Sequence, residues 1–165
     1  MNSIEEYYEI PQLCTLLSNK GDYNEEEIEI GPSLFSDDQR FDRFQEMRFR
    51  NFKLRTDNMS DCHVFMSGSH TDNYVHLRKI LQDRDTGDIY LVGHKFQRRR
   101  PLFSIDADGI SLSSVQAGIT VCDQLSDRLY PFPLNELNEK CFALPLNLLG
   151  PQREHQPWVY QRYLH

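Results

Sequence analysis

Apolar and polar positions are most informatively arranged in the middle of the chain. Tyr74-Val75-His76-Leu77-Arg78-Lys79-Ile80-Leu81 and Ile89-Tyr90-Leu91-Val92-Gly93-His94-Lys95-Phe96 are rich in β-branched, aromatic and aliphatic residues. Such side chains suit a pleated, half-buried surface. Between the two runs, Asp83-Arg84-Asp85-Thr86-Gly87-Asp88 supplies the Asp and Gly of a tight reversal. The pair predicts a β-hairpin. Beyond it, residues 102–105, 110–112 and 118–122 form short apolar segments, the first two separated by Asp108-Gly109. Residues 135–139 lead into a further strand over 141–144, before Pro145. Short strands at regular spacing predict a mainly β fold, a small barrel or sandwich, in preference to alternating βα units.

The N-terminal part reads differently. Residues 4–18 start a helical pattern that Pro11 interrupts and Gly21 ends. An acidic run over 22–29 closes at Gly31-Pro32, a turn signal. Phe41, Phe44 and Phe49 lie among charges, with Ser36 as a candidate N-cap, which predicts a short helix or an irregular linker over 35–50. The organisation expected is an acidic, partly helical or flexible arm over 1–46, a β-barrel over 47–148, and an aromatic tail over 149–165 that packs on the barrel.

Composition narrows the class. A chain of 165 residues with ten Phe, eight Tyr and one Trp can build one real core despite an apolar share of only 39%. No stretch approaches the roughly 18 apolar residues of a membrane helix, and the first twenty residues lack a secretory pattern. The chain reads as soluble and intracellular. Cys14, Cys62, Cys122 and Cys141 are widely spaced with no CxxC pair, so free thiols are expected. The net charge of −7 is unevenly spread: residues 1–46 hold twelve acids and three bases, residues 47–105 eleven bases and six acids. A basic middle beside an acidic arm suits either an external phosphate backbone or the chain's own arm.

Catalytic signatures are scarce. Cys62-His63 with His70 and His76 offers donor atoms, yet no spacing matches a zinc frame, so no metal is expected. The Asp83 to Asp88 run places its glycine one position early for a calcium loop and lacks the closing Glu. There is no G-x-S-x-G elbow, Gly-rich phosphate loop or H-E-x-x-H. No catalytic residue and no cofactor are expected, and a small hydrolase using His and Asp is the weakest of the alternatives. The basic residues are the sharper feature. Lys95, Arg98, Arg99 and Arg100 follow the hairpin, where strand geometry lets at most two of the three arginines share a face. A second group, Arg48 and Arg50 with Lys53 and Arg55, alternates with aromatic residues so that a strand would gather the bases on one face. Both read either as a surface for phosphate or an acidic segment, or as a solvated rim. Tyr74, Tyr90, His94 and Phe96 make a candidate aromatic pocket for a quaternary ammonium group, with core packing as the alternative.

The run YVHLRKILQDRDTGDIYLVGHKFQRRRPLF over 74–103 resembles the central hairpin of a BAH (bromo-adjacent homology) domain. With LNELNEKCFAL over 134–144, it is similar to the region preceding the catalytic domain of fungal DNA cytosine-5 methyltransferases of the repeat-silencing class. Gly93, Phe96 and Arg98 match a G-W-x-F-x-R element, in which His94 replaces the usual tryptophan. Asn138, Glu139 and Cys141 match an N-E-x-C element. The Pro-Cys nucleophile dipeptide, the Gly-rich cofactor loop and Glu-Asn-Val are lacking. The resemblance implies a non-catalytic, nuclear chromatin module that binds a histone tail, a nucleosome or the DNA backbone. Its alternative is a regulatory domain docked on a methyltransferase catalytic domain in cis, and neither reading involves a membrane or a small-molecule substrate.

Overall fold

The computed structural model describes residues 28–30, 33–34, 40–50, 52–68, 72–146 and 157–162. The helical start expected over 4–18 lies outside them, as do residues 22–27 of the acidic run. The strands are β1 (Ile28–Ile30), β2 (Ser33–Leu34), β3 (Phe41–Phe44), β4 (Glu46–Phe49), β5 (Phe52–Arg55), β6 (His63–Ser67), β7 (Asp72–Asp83), β8 (Ile89–Pro101), β9 (Ser104–Ala107), β10 (Ile110–Ser113), β11 (Ile119–Leu125), β12 (Tyr130–Pro133), β13 (Leu137–Pro145) and β14 (Trp158–Arg162). The fold is mainly β, as the pattern predicts.

Six strands close a barrel. β6 pairs β7, β7 pairs β8, β8 pairs β11, β11 pairs β14, β14 pairs β13, and β13 returns to β6, every pair antiparallel. Closure removes most free sheet edges. The expected hairpin is β7–β8, with Leu81 opposite Tyr90 and His76 opposite His94. Its turn is held by buried Asp83, whose Oδ1 accepts the Asp85 N–H at 2.8 Å, while Arg40 donates to Oδ2 at 3.1 Å. Gly87 takes the positive φ of 78° that the reversal needs.

A bulge between Leu77 and Lys79 shifts the register of β7 and exchanges its faces. Val75 and Leu77 before it, and Ile80 after it, therefore enter one core cluster with Met47, Phe49 and Leu54 from the β4–β5 hairpin and Val64, Met66 and Leu91. The opposite face lines the barrel. Phe65, Tyr74, Phe96, Cys122, Cys141 and Tyr160 are all buried there. At the far end of the same hairpin, Phe41, Leu81, Tyr90 and Val92 form a third cluster.

Two expectations are corrected. Over the described part of 35–50 there are strands in place of a helix or irregular linker: β3 pairs β7, and β4 pairs β1 and β5. Phe41 and Phe44 are three residues apart and so point to opposite faces of a strand. Both are buried because β3 lies between two clusters. The C-terminal segment also does more than pack on the barrel. Trp158–Arg162 is inserted between β11 and β13 as one of the six strands, with Tyr160 completely buried.

Candidate functional site

The long strand β8 carries the basic run away from the core. Residues 75–82 of β7 pair with it only as far as Lys95, after which β11 continues alone along its other edge, from Phe96 to Pro101. Arg98, Arg99 and Arg100 are exposed, and none forms an ion pair with a described residue. Arg98 and Arg100 share one face and Arg99 takes the other, as alternation requires. Arg98 lies opposite Asp123 on β11. Lys95 behaves differently: it is half-buried, with its Nζ over the Tyr130 ring at 4.2 Å.

Arg48 and Arg50 belong to a separate three-stranded sheet, β1-β4-β5. The single strand expected to gather four bases is instead a hairpin: Arg48 is opposite Lys53 and Glu46 opposite Arg55, so three of the bases share a face with one acid among them, and Arg50 lies in the turn. Lys53 and Arg55 both approach Glu46, and Arg55 also pairs with Asp57 at 2.9 Å. Arg50 occupies the hairpin turn with φ 55° and lays its guanidinium 4.8 Å over Phe49.

Immediately after the arginines comes a feature that sequence reasoning missed. In the β9–β10 ribbon Ala107 lies opposite Ile110 and Ile105 opposite Leu112. One ribbon face is thus apolar, and the other carries Ser104, Asp106, Ser111 and Ser113. Among the described residues ten large apolar side chains are exposed, and six of them fall between Leu102 and Val115. The apolar alternation was visible in the sequence, but a two-stranded ribbon without a covering layer among the described residues was not.

The four residues of the candidate aromatic pocket share one face of the β7–β8 hairpin, yet the structure does not gather them. Tyr74 and Phe96 pack inside the barrel, with Tyr74 Oη 3.2 Å from Thr120 Oγ1. Tyr90 belongs to the cluster with Phe41 and Leu81, outside that group. His94 is half-buried, and its Nδ1 lies 2.8 Å from the Ser126 carbonyl oxygen. Tyr74, Tyr90 and Phe96 are each less than a tenth exposed, which is the core-packing alternative.

Polar groups also enter the barrel. Arg162 donates through Nε and Nη2 to the two oxygens of Glu139, at 2.9 and 3.0 Å, and stacks 4.0 Å over Phe65. His63, on β6, lies opposite His76 on β7, with ring centroids 4.9 Å apart. Tyr160 and Trp158 flank His63 at 5.1 and 5.2 Å. Its Nδ1 is hydrogen-bonded to Tyr160 Oη at 2.5 Å, whereas Nε2 is buried without a partner among the described residues. Burial, aided by the neighbouring His76, lowers the pKa of His63 to about 3, and burial with the nearby Arg78 and His94 charges lowers that of His76 to about 4. Cys62, whose thiol burial raises to about 11, brings Sγ beside this pair. Donor atoms of Cys62, His63 and His76 all lie within 4.8 Å of one another. Cys122 and Cys141 are free and buried too, while Cys14 and His70 lie outside the described residues.

No curated protein and no solved structure matches this chain. One family model does, over residues 27–152, and it therefore spans β1 to β13 but stops before the strand that closes the barrel. The chain belongs to the family described as a domain of unknown function, DUF8592.

Proposed function

We propose that this chain is a non-catalytic recognition module of chromatin, which binds through the end of β8 and the β9–β10 ribbon. The observation that supports this most is the juxtaposition of exposed Arg98, Arg99 and Arg100 with the exposed apolar side chains between Leu102 and Val115. Apolar ribbon faces without a covering layer cost solvation free energy unless a partner takes them. Arginine beside them selects a partner with phosphate or carboxylate at the rim. A nucleosome offers both, as DNA backbone and as histone surface. The chromatin class rests on the BAH-like run over 74–103, and a nuclear location goes with it. The alternative, docking on a methyltransferase catalytic domain in cis, draws on the same ribbon, since bare DNA has no use for an apolar face.

Titration of nucleosomes and of labelled duplex at two salt concentrations tests the reading. The wild type is expected to prefer nucleosomes, with no better than micromolar affinity for duplex, given a net charge of −7. Replacing Arg98, Arg99 and Arg100 by Ala is expected to flatten the salt slope by about two to three units if all three touch phosphate. Ile105→Ser with Leu112→Ser is expected to weaken nucleosome binding and leave the slope unchanged. Absence of wild-type binding to either target at low salt overturns the proposal and leaves the cis-docking alternative.

A further inference from the structure

The geometry points to a metal site at Cys62, His63 and His76, which takes one zinc-class divalent ion and leaves a coordination position open. It does not depend on the surface proposed at the end of β8 and the β9–β10 ribbon. The three residues come together through register: His63 opens β6 directly opposite His76 on β7, and the bend before β6 turns Cys62 towards the same point. The Leu77 N–H donates to the Cys62 carbonyl at 2.7 Å and holds that bend against β7.

A second observation concerns His63. This side chain is 1% exposed, yet its Nε2 has no hydrogen-bond partner among the described residues. A buried polar atom without a partner costs about 1–3 kcal/mol, so a fold that keeps one calls for an explanation. Nδ1 of the same ring is bonded to Tyr160 Oη. When that nitrogen donates to the tyrosine oxygen, the tautomer is set and Nε2 presents its lone pair. Metal-ligating histidines are oriented in this way by an oxygen on the far side of the ring. Tyr160 is therefore a positioning residue, not a ligand.

The distances suit the ion. Donor atoms around tetrahedral zinc lie roughly 3.3–3.6 Å apart, from bond lengths near 2.0–2.1 Å to nitrogen and 2.3 Å to sulfur. Cys62, His63 and His76 already have theirs within 4.8 Å, so side-chain rotation of about an ångström closes the set. Two imidazoles and a thiolate select zinc or a similar transition ion over magnesium or calcium. On binding, the S–H bond of Cys62 breaks, its proton leaves to solvent, and the sulfur lone pair forms the metal–sulfur bond. The half-buried ion pair between Lys140 and Asp61 lies near Cys62.

Cobalt(II) is the probe, titrated into the full chain after removal of metal by a chelator, and zinc(II) then displaces it. One equivalent is expected to bind, with thiolate-to-cobalt charge-transfer absorption and the strong visible bands of tetrahedral cobalt. Cys62→Ser is expected to abolish the charge-transfer band, and His76→Gln to weaken binding at least about tenfold. Tyr160→Phe should retain the band but lower affinity by roughly 10- to 100-fold, the usual effect of losing an orienting partner. Circular dichroism of each variant separates lost ligation from lost folding. If His76→Gln does not fold, the wild type and Cys62→Ser still decide. Absence of saturable binding by the wild type overturns the site, as does a charge-transfer band that persists in Cys62→Ser.

Discussion

Gly93→Ala is the substitution that most directly tests how β8 is packed. A Cβ built on Gly93 would lie 2.3 Å from the His76 carbonyl oxygen, 2.7 Å from Val75 Cγ1 and 2.9 Å from the His76 carbonyl carbon. Bringing the closest pair to even 3.0 Å requires a displacement of about 0.7 Å. Two of the three obstacles are backbone atoms, so no rotamer change relieves them. The backbone of β7 at that point is held on both edges, by His63 of β6 and His94 of β8, and Gly93 itself lies between Leu77 and Tyr130. Overpacking of this kind costs about 1–3 kcal/mol, and a ladder hydrogen bond lost in the adjustment adds about 1. A loss of about 3 kcal/mol is expected, near 10 °C in Tm for a domain of this size. Gly87→Ala is the control. It keeps an unfavourable φ of 78° but has nothing within 4 Å, so only the backbone penalty of about 1 kcal/mol remains. Urea denaturation of both variants at neutral pH supplies the comparison. Equal losses, or a loss below 1 kcal/mol for Gly93→Ala, would refute the close approach of β7 and β8.

Two further outcomes follow from the barrel interior. The folded state holds His63 and His76 neutral, down to about 3 and about 4, while the unfolded chain protonates them near 6.5. The unfolded state therefore binds more protons below 6.5, and stability is fully present above that pH and lost as pH falls towards 4. Between pH 6.5 and 4.5 the two together cost the folded state about 4 kcal/mol, to be read by chemical denaturation of the chelator-treated protein, and a flat profile would contradict the burial of the pair. Glu139→Gln weakens the paired contact to the Arg162 guanidinium over Phe65, and about 2 kcal/mol is the expected loss by urea denaturation; an unchanged midpoint would show that the pair holds nothing.

The strands that sequence reasoning found are those whose partner is local. β7 and β8 alternate apolar and polar side chains around an Asp- and Gly-containing turn, so pattern and turn chemistry agree within thirty residues. β14 is legible only as an aromatic tail. Its five residues pair with β11 and β13, and the first of these is far away along the chain, so nothing local marks WVYQR as the closing strand. The strand at 41–44 was hidden behind the short helix or irregular linker expected over 35–50, because burial of both sides of β3 leaves no period-two alternation to read. The cluster of Cys62, His63 and His76 escaped for a related reason. Its spacing of thirteen residues matches no metal frame, and only the opposition of His63 and His76 across β6 and β7 makes it a cluster.

The Arg98–Arg100 run has a second physical role that the same variant distinguishes from recognition. Pairing of β7 with β8 ends at Val75 opposite Lys95, so from Phe96 to Pro101 the edge that faced β7 has no ladder partner among the described strands. An unpaired edge beside an exposed apolar ribbon is a template for association with a second chain, and charged side chains commonly guard such edges. Exposed charge costs little stability, and replacing it by alanine changes folding by roughly 0.5 kcal/mol or less at each position. If the arginines only guard the edge, the triple alanine variant self-associates as its concentration rises, and dilute protein binds nucleosomes with an unchanged salt slope. If they contact phosphate, the slope flattens by about two to three units even where sedimentation shows a monomer. Sedimentation and salt titration of one variant thus read two different consequences of the same three side chains.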